Sequence, residues 1–129
     1  MITQATSPWF ARRAFWSIGK TLEEVFSSVK PATSYIPSFG LWGFFVAANH
    51  SLDTTARSVS AGRYMNDQAL QEVLTLPADL PRLEVEVNRN YSLPVIGYYR
   101  EGWEALNFAT LPAETGPTET APVKSGSAD

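Results

Sequence analysis

Between residues 7 and 27 apolar side chains recur at the spacing of a helix, opened by Ser7-Pro8 as a cap followed by proline at the first helical position. At about 100° per residue, Phe10, Ala14, Phe15, Ile18, Leu22, Val25 and Phe26 fall on one broad face. Trp9 and Trp16 form a second stripe opposite, beside Arg12, Arg13, Lys20 and Glu23. A surface helix normally has one apolar face, so the second stripe is either covered by another layer or is a pair of partly exposed rings. Two strands follow, over residues 29–35 and 41–48, joined by Ile36-Pro37-Ser38-Phe39-Gly40 as a hairpin. The second strand is apolar throughout, the pattern of a strand covered on both faces. Residues 49–62 read as a polar loop. Leu70, Val73 and Leu74 place a short helix over 67–74, ended by Pro77 and Pro81, and Glu84-Val85-Glu86-Val87-Asn88 alternates like a strand. A last helix over 93–107 puts Val95, Ile96, Tyr99, Trp103 and Leu106 on one side.

Composition changes this picture mainly at the ends. All aromatic residues lie at or before Phe108, and residues 109–129 are Thr, Glu, Ala, Ser, Gly and Pro with little else. Such a stretch buries too little apolar surface to offset its own ordering, so it reads as a disordered tail after a folded region of 1–108. At the other end, the apolar stub Met1-Ile2 is short for a strand and points to a missing segment before it. The chain has 129 residues, 44% hydrophobic, with a net charge of -3 and no cysteine. Those values fit one domain with a single core, give no basic footprint for nucleic acid and exclude disulfides and thiolate metal sites. No apolar run reaches the length of a membrane span, which places the chain in the cytoplasm.

The chemistry-bearing residues are sparse. No glycine pattern forms a nucleotide cradle. His50, Ser51 and Asp53 include the residue types of a hydrolytic triad, but neighbours in sequence rarely reach triad geometry, and a satisfied loop histidine is the plainer reading. Glu84 and Glu86 either share a strand face that holds a cation or are simply solvated, and Glu23-Glu24 reads as a solvated helix face.

Three stretches together are more specific: Gln4-Ala5-Thr6-Ser7-Pro8-Trp9-Phe10-Ala11, Ala14-Phe15-Trp16 and Pro37-Ser38-Phe39-Gly40-Leu41-Trp42-Gly43-Phe44. They resemble the C-terminal part of spermidine synthases, the polyamine aminopropyltransferases, and most of all bacterial spermidine-synthase-like proteins whose longer forms carry an N-terminal membrane region. Glu86-Val87-Asn88-Arg89 and Pro94-Val95-Ile96-Gly97-Tyr98-Tyr99 resemble the closing segment of the same family. The resemblance implies the C-terminal portion of a methyltransferase-like, Rossmann-type doubly wound sheet. Residues 1–4 would end its fifth strand, 7–27 would be the helix after it, and 29–35 and 41–48 the last two strands, the final one antiparallel, with C-terminal helices beyond.

The family moves an aminopropyl group from decarboxylated S-adenosylmethionine to putrescine, using a carboxylate to take the amine proton. Its glycine-rich donor loop and catalytic aspartates precede the region seen here, so the resemblance implies no cofactor site and no catalytic residue in this chain. Gln4 matches the family glutamine that hydrogen-bonds an amine of the substrate. Where relatives have a pocket tyrosine this chain has Pro37, with Tyr35 two residues away as the second candidate, and Leu41 stands where many relatives have Glu or Gln. The expectation is a fragment of an aminopropyltransferase, inactive alone, that meets a polyamine only when completed. The alternative is a non-catalytic module that docks on a separate cofactor-binding half or a full-length relative, the Trp9 and Trp16 stripe being its surface. Self-association into a homo-oligomer, common among relatives, is open to either. A hydrolase using His50 is a weaker third.

Overall fold

The computed structural model describes residues 1–53 and 63–110, with backbone only for 108–110. The described elements run β1 (Ile2–Gln4), α1 (Arg12–Glu23), β2 (Ser28–Ile36), β3 (Gly40–Ala48), α2 (Asp67–Leu74) and α3 (Pro94–Thr110). The fold is thus α/β. Its strands form an antiparallel sheet in the order β1-β3-β2, with Gln4 opposite Phe44, Ala32 opposite Phe44 and Tyr35 opposite Leu41. Part of the expected polar loop and the tail from residue 111 lie outside the described residues. Within them, α3 runs to Thr110, past the expected boundary at 108.

The hairpin forms as its sequence dictates. Phe39 donates its backbone N–H to the Ile36 carbonyl, and Gly40 takes φ +73°, the left-handed position that closes a three-residue hairpin loop and favours glycine. Pro31 lies inside β2 without disrupting the sheet, because among the described residues β2 has a partner strand on one side only and a proline is tolerated there. β3 corrects the expectation drawn from its continuous apolar run. Gly43, Phe45 and Ala47 are buried, whereas Trp42, Phe44, Val46 and Ala48, pointing the other way, are only half-buried. α1 covers the first face; among the described residues nothing comparable seals the second.

The core sits between that first face and α1. Phe15 stacks on Phe45 at 4.6 Å, Trp16 closes the group edge-on, and Ala5 and Val85 complete it. Close approach is possible because two glycines leave room: a Cβ on Gly43 would lie 2.4 Å from the Phe15 ring, and one on Gly19 2.5 Å from the Phe45 ring. α2 has the expected bounds and is capped by Asn66, whose side-chain oxygen accepts from the Ala69 N–H at 2.9 Å.

Three expectations about the helices need correction. α1 begins at Arg12 rather than Pro8, since Ser7 closes a turn instead: its Oγ accepts from the Trp9 N–H and its carbonyl from the Ala11 N–H. α1 ends at Glu23, because the chain must turn before β2 starts at Ser28, and Val25 is left exposed. On α3 the inward side matches the expected apolar stripe only in part: Val95, Trp103 and Leu106 are half-buried, with Trp103 4.8 Å from the Phe10 ring, whereas Ile96 and Tyr99 are largely exposed. Tyr98, under the Arg13 guanidinium at 4.1 Å, and Gly102, close to the Phe10 and Ala11 backbone, complete that side.

The tryptophan stripe divides. Trp16 is buried by the chain's own residues 82–85, with the Arg82 guanidinium 5.7 Å from its ring; Trp9 stays exposed. Among the described residues no helix is long and apolar enough to cross a membrane.

Candidate functional site

Gln4 closes the edge strand β1. Its side chain is exposed and has no hydrogen-bond partner among the described residues, so it is not a buried amide satisfying a strand end. Directly after it the chain plunges inward. Ala5 donates to the Gly43 carbonyl, Thr6 accepts from the Gly43 N–H at 2.7 Å, and residues 5–8 are all buried. Thr6 makes this turn at φ +63°, the left-handed region where a β-branched residue is strained. Its hydroxyl is buried without a hydrogen-bond partner among the described residues, as are the indole nitrogens of Trp16 and Trp42. An unsatisfied buried hydroxyl costs about 1–3 kcal/mol. Strain and an unused donor therefore coincide two residues beyond Gln4.

The sheet register separates the two candidate residues. Gln4 stands in the row of Phe44 and Ala32, and Tyr35 in the row of Leu41. Phe44 and Leu41 are three positions apart on β3, and side chains alternate along a strand, so Gln4 and Tyr35 point to opposite faces of the sheet. Tyr35 is 71% exposed on the side that carries α1. The two do not form one pocket.

The remaining candidates fall away from both. His50 and Ser51 are exposed just past β3, and no hydrogen bond links His50 to Ser51 or Asp53. The alternation of Glu84 to Asn88 is real, with Val85 inward and Glu84 and Glu86 outward, but its partner is a helix rather than a strand. Lys20 Nζ donates to the Val85 carbonyl and Ser17 Oγ to the Glu86 carbonyl, both at 2.8 Å, and Thr21 Oγ1 accepts from the Asn88 N–H. Among the described residues no group of three His, Asp or Glu could hold a metal ion. Four carboxylates are occupied by cations: Glu23 by Arg82, Glu24 by Arg89, Glu84 by Lys20 and Glu101 by Arg13. The Glu23 hydrogen bonds, made by both terminal nitrogens of Arg82, raise that guanidinium above its usual range.

Asn88 was not singled out by sequence reasoning, and its role is plain only in the fold. Its amide nitrogen donates to Ser17 Oγ and Thr21 Oγ1 at 3.2 and 3.1 Å, and its side-chain oxygen accepts from the Val95 N–H in the first turn of α3. One side chain thus joins α1, the 84–88 segment and the start of α3. Asn88→Ala is expected to lower stability by about 2–3 kcal/mol. Urea melts would show this as a lower midpoint at unchanged slope.

Beside Thr6 a groove of about 270 Å³ opens between α1 and α3, lined by Thr6, Ala14, Ile18, Val95, Ile96 and Tyr99. A second hollow, of about 330 Å³, lies at the other end of α1 between Thr21, Glu24 and the Asn88–Tyr91 turn.

No family model matches the chain. Among proteins of established name it is 33% identical over 103 residues to the polyamine aminopropyltransferase of Leptospira interrogans, a match that takes in 80% of this chain and 21% of that protein. It is 34% identical over 110 residues to polyamine aminopropyltransferase 2 of Ralstonia nicotianae, covering 82% and 21%. With polyamine aminopropyltransferase 2 of Bacillus anthracis the identity is 35% over 116 residues, covering 88% and 27%. The chain spans about a fifth of the length of the first two. The chain is therefore similar to polyamine aminopropyltransferases over most of its own length and over a minor part of theirs.

Proposed function

We propose that the chain is the amine-binding, C-terminal portion of a polyamine aminopropyltransferase, and that it transfers nothing until joined to the part that binds the aminopropyl donor. The observation that carries this is the placement of Gln4. An unpartnered amide stands at the end of an edge strand, held there by a buried turn that continues into the helix layer. The strand order supports the same reading, since β3 runs antiparallel between β1 and β2, as the end of a doubly wound sheet with a reversed final strand requires.

In the reaction, the lone pair of a neutral substrate amine attacks the methylene beside the sulfonium of decarboxylated S-adenosylmethionine. The carbon–sulfur bond breaks, its electrons return to sulfur, and the proton of the amine passes to a carboxylate. Gln4 fits one part of this. Its side-chain oxygen accepts an N–H from the amine and fixes the direction of the lone pair. The donor and the base are assigned to the remaining polypeptide. Tyr35, on the opposite face, is left outside the amine site.

The test joins the intact chain to the part of the Leptospira relative outside the matched stretch. The isolated chain should give no turnover with saturating substrates. In the fusion, Gln4→Ala should cut kcat/KM for the diamine by about tenfold or more, the worth of one hydrogen bond to a charged or polar partner. An unchanged kcat/KM, or turnover by the isolated chain, overturns the proposal. A second reading, a docking module without transfer, is favoured by the exposed Trp9 beside a hollow formed with Phe10, Gly102, Ala105 and Leu106. Under it the fusion would fold and stay inactive with Gln4 intact.

A further inference from the structure

We propose that Thr6 is a positioning residue of the amine site: a left-handed bulge at Thr6, seated against Gly43, holds β1 in the register that turns Gln4 to the sheet face away from α1. This rests on the functional reading above and adds what aims its one site residue. Gln4 does not aim itself. Its side chain has no hydrogen-bond partner among the described residues, so its direction is set by its backbone. β1 has only three residues, with Ile2 and Gln4 exposed and Thr3 half-buried, and such a strand carries no hydrophobic pattern that selects one register over the next. A slip by one residue would turn Gln4 toward α1. Ladder hydrogen bonds do not decide it either, since a short strand forms them equally well one residue along.

The bulge does decide it. Past Gln4, Ala5 donates its N–H to the Gly43 carbonyl at 2.9 Å, but the Gly43 N–H returns to the carbonyl of Thr6 rather than that of Ala5, at 2.7 Å. Two residues thus oppose one, the arrangement of a bulge, which ends pairing and re-aims the chain beside it. It fits only against a residue without a side chain, because a Cβ at position 43 would lie 2.8 Å from the Thr6 carbonyl oxygen. The other glycine of β3 is Gly40, already committed to the hairpin turn at φ +73°. One register therefore brings Thr6 to Gly43, and in it Gln4 stands opposite Phe44. The strain falls on Thr6, a β-branched residue at φ +63°. Strain of this kind persists where the surroundings over-determine it, and it gathers at sites that hold ligands. Ala5, Ser7 and Pro8, buried on either side of Thr6, supply that constraint here.

Thr6→Pro, which locks φ near about −65°, abolishes the left-handed turn. In the fusion described above it should lower diamine kcat/KM by about tenfold, the loss expected of Gln4→Ala, and add nothing further in a Gln4→Ala background. A merely structural fault would add to that loss. Thr6→Gly takes the left-handed turn freely and should keep kcat/KM within about threefold of the parent. In the isolated chain, nuclear Overhauser contacts between the Gln4 side-chain amide and the Phe44 ring report the register itself. They should be present in the parent and in Thr6→Gly and absent in Thr6→Pro. Amide exchange needs no variant: the Gly43 N–H should exchange at least about a hundredfold more slowly than an unstructured amide. Additive losses, a Thr6→Pro variant that keeps the parent kcat/KM or the Gln4–Phe44 contact, a Thr6→Gly variant as poor as Thr6→Pro, or a freely exchanging Gly43 amide overturns the proposal. If Thr6→Pro does not fold, Thr6→Gly and the Gly43 amide decide. Both spectroscopic signatures intact with Gln4→Ala harmless in the fusion sinks the functional reading alone; Gln4→Ala damaging with Thr6→Pro harmless sinks the positioning role alone.

Discussion

Phe45→Ala is expected to cost about 3–5 kcal/mol and to remove the cooperative thermal transition of the isolated chain. Phe45 is the centre of the packing: 1% exposed, stacked on Phe15, edge-on to Trp16, with the open backbone of Gly19 fitted against its ring. Truncation removes the ring's own burial and leaves a cavity, because Phe15 and Trp16 are held by α1 and cannot collapse into the space. The expected loss is comparable to the whole stability of a marginal small domain, about 5 kcal/mol at the low end. Phe45→Leu, which keeps most of the volume, should cost no more than about 1.5 kcal/mol and retain the transition. Circular dichroism of both variants across a thermal ramp decides it. If Phe45→Ala melted within a few degrees of the parent, the face toward α1 would not be the core.

Much of this packing was legible in the sequence, and the parts that were not share a cause. The hairpin followed from Pro37 and Gly40, α2 from the spacing of Leu70, Val73 and Leu74 and the prolines after it, and the aromatic face of α1 from Phe15 and its neighbours. These are local rules, in which a turn residue or a periodic stripe acts on its own segment. The misreadings came where distant segments compete. Ser7-Pro8 has the composition of a helix start, but Thr6 had already bound Gly43 across the sheet and turned the chain, so the pair closes a buried turn instead. The strand pattern over 84–88 was satisfied by helix side chains, from Ser17, Lys20 and Thr21, which no period-two rule anticipates. On α3 the inward side took Gly102, a residue with no hydrophobic weight, beside Val95 and Trp103, and left Ile96 and Tyr99 largely exposed. For the candidate site, Gln4 was legible only through the family resemblance, and its separation from Tyr35 needed the register. A single odd residue spacing on β3 puts them on opposite faces, and nothing in either segment alone carries that information.

Gly43→Ala, a change of one methyl group, should be nearly as damaging as losing the Phe45 ring, at about 3 kcal/mol, the upper part of the range for overpacking. The added Cβ would stand 2.4 Å from Phe15 Cε2 and 2.8 Å from the Thr6 carbonyl oxygen. Neither neighbour can give way cheaply. The Phe15 ring is stacked on Phe45, and the Thr6 oxygen is held by the Gly43 N–H itself. Moving the carbonyl would break that hydrogen bond and disturb the turn that presents Gln4. The loss should therefore appear twice: as a lower melting temperature of the isolated chain, and as a lower diamine kcat/KM in the fusion even at temperatures where it remains folded. Gly97→Ala provides the opposite case on the same molecule. It lies in α3 with nothing within 4 Å of the added carbon, so the helix should gain up to about 1 kcal/mol from the better helix former. A Gly43→Ala variant as stable as the parent would mean that β3 and α1 do not approach as closely as their glycines allow, and the link from the core to Gln4 would go with it.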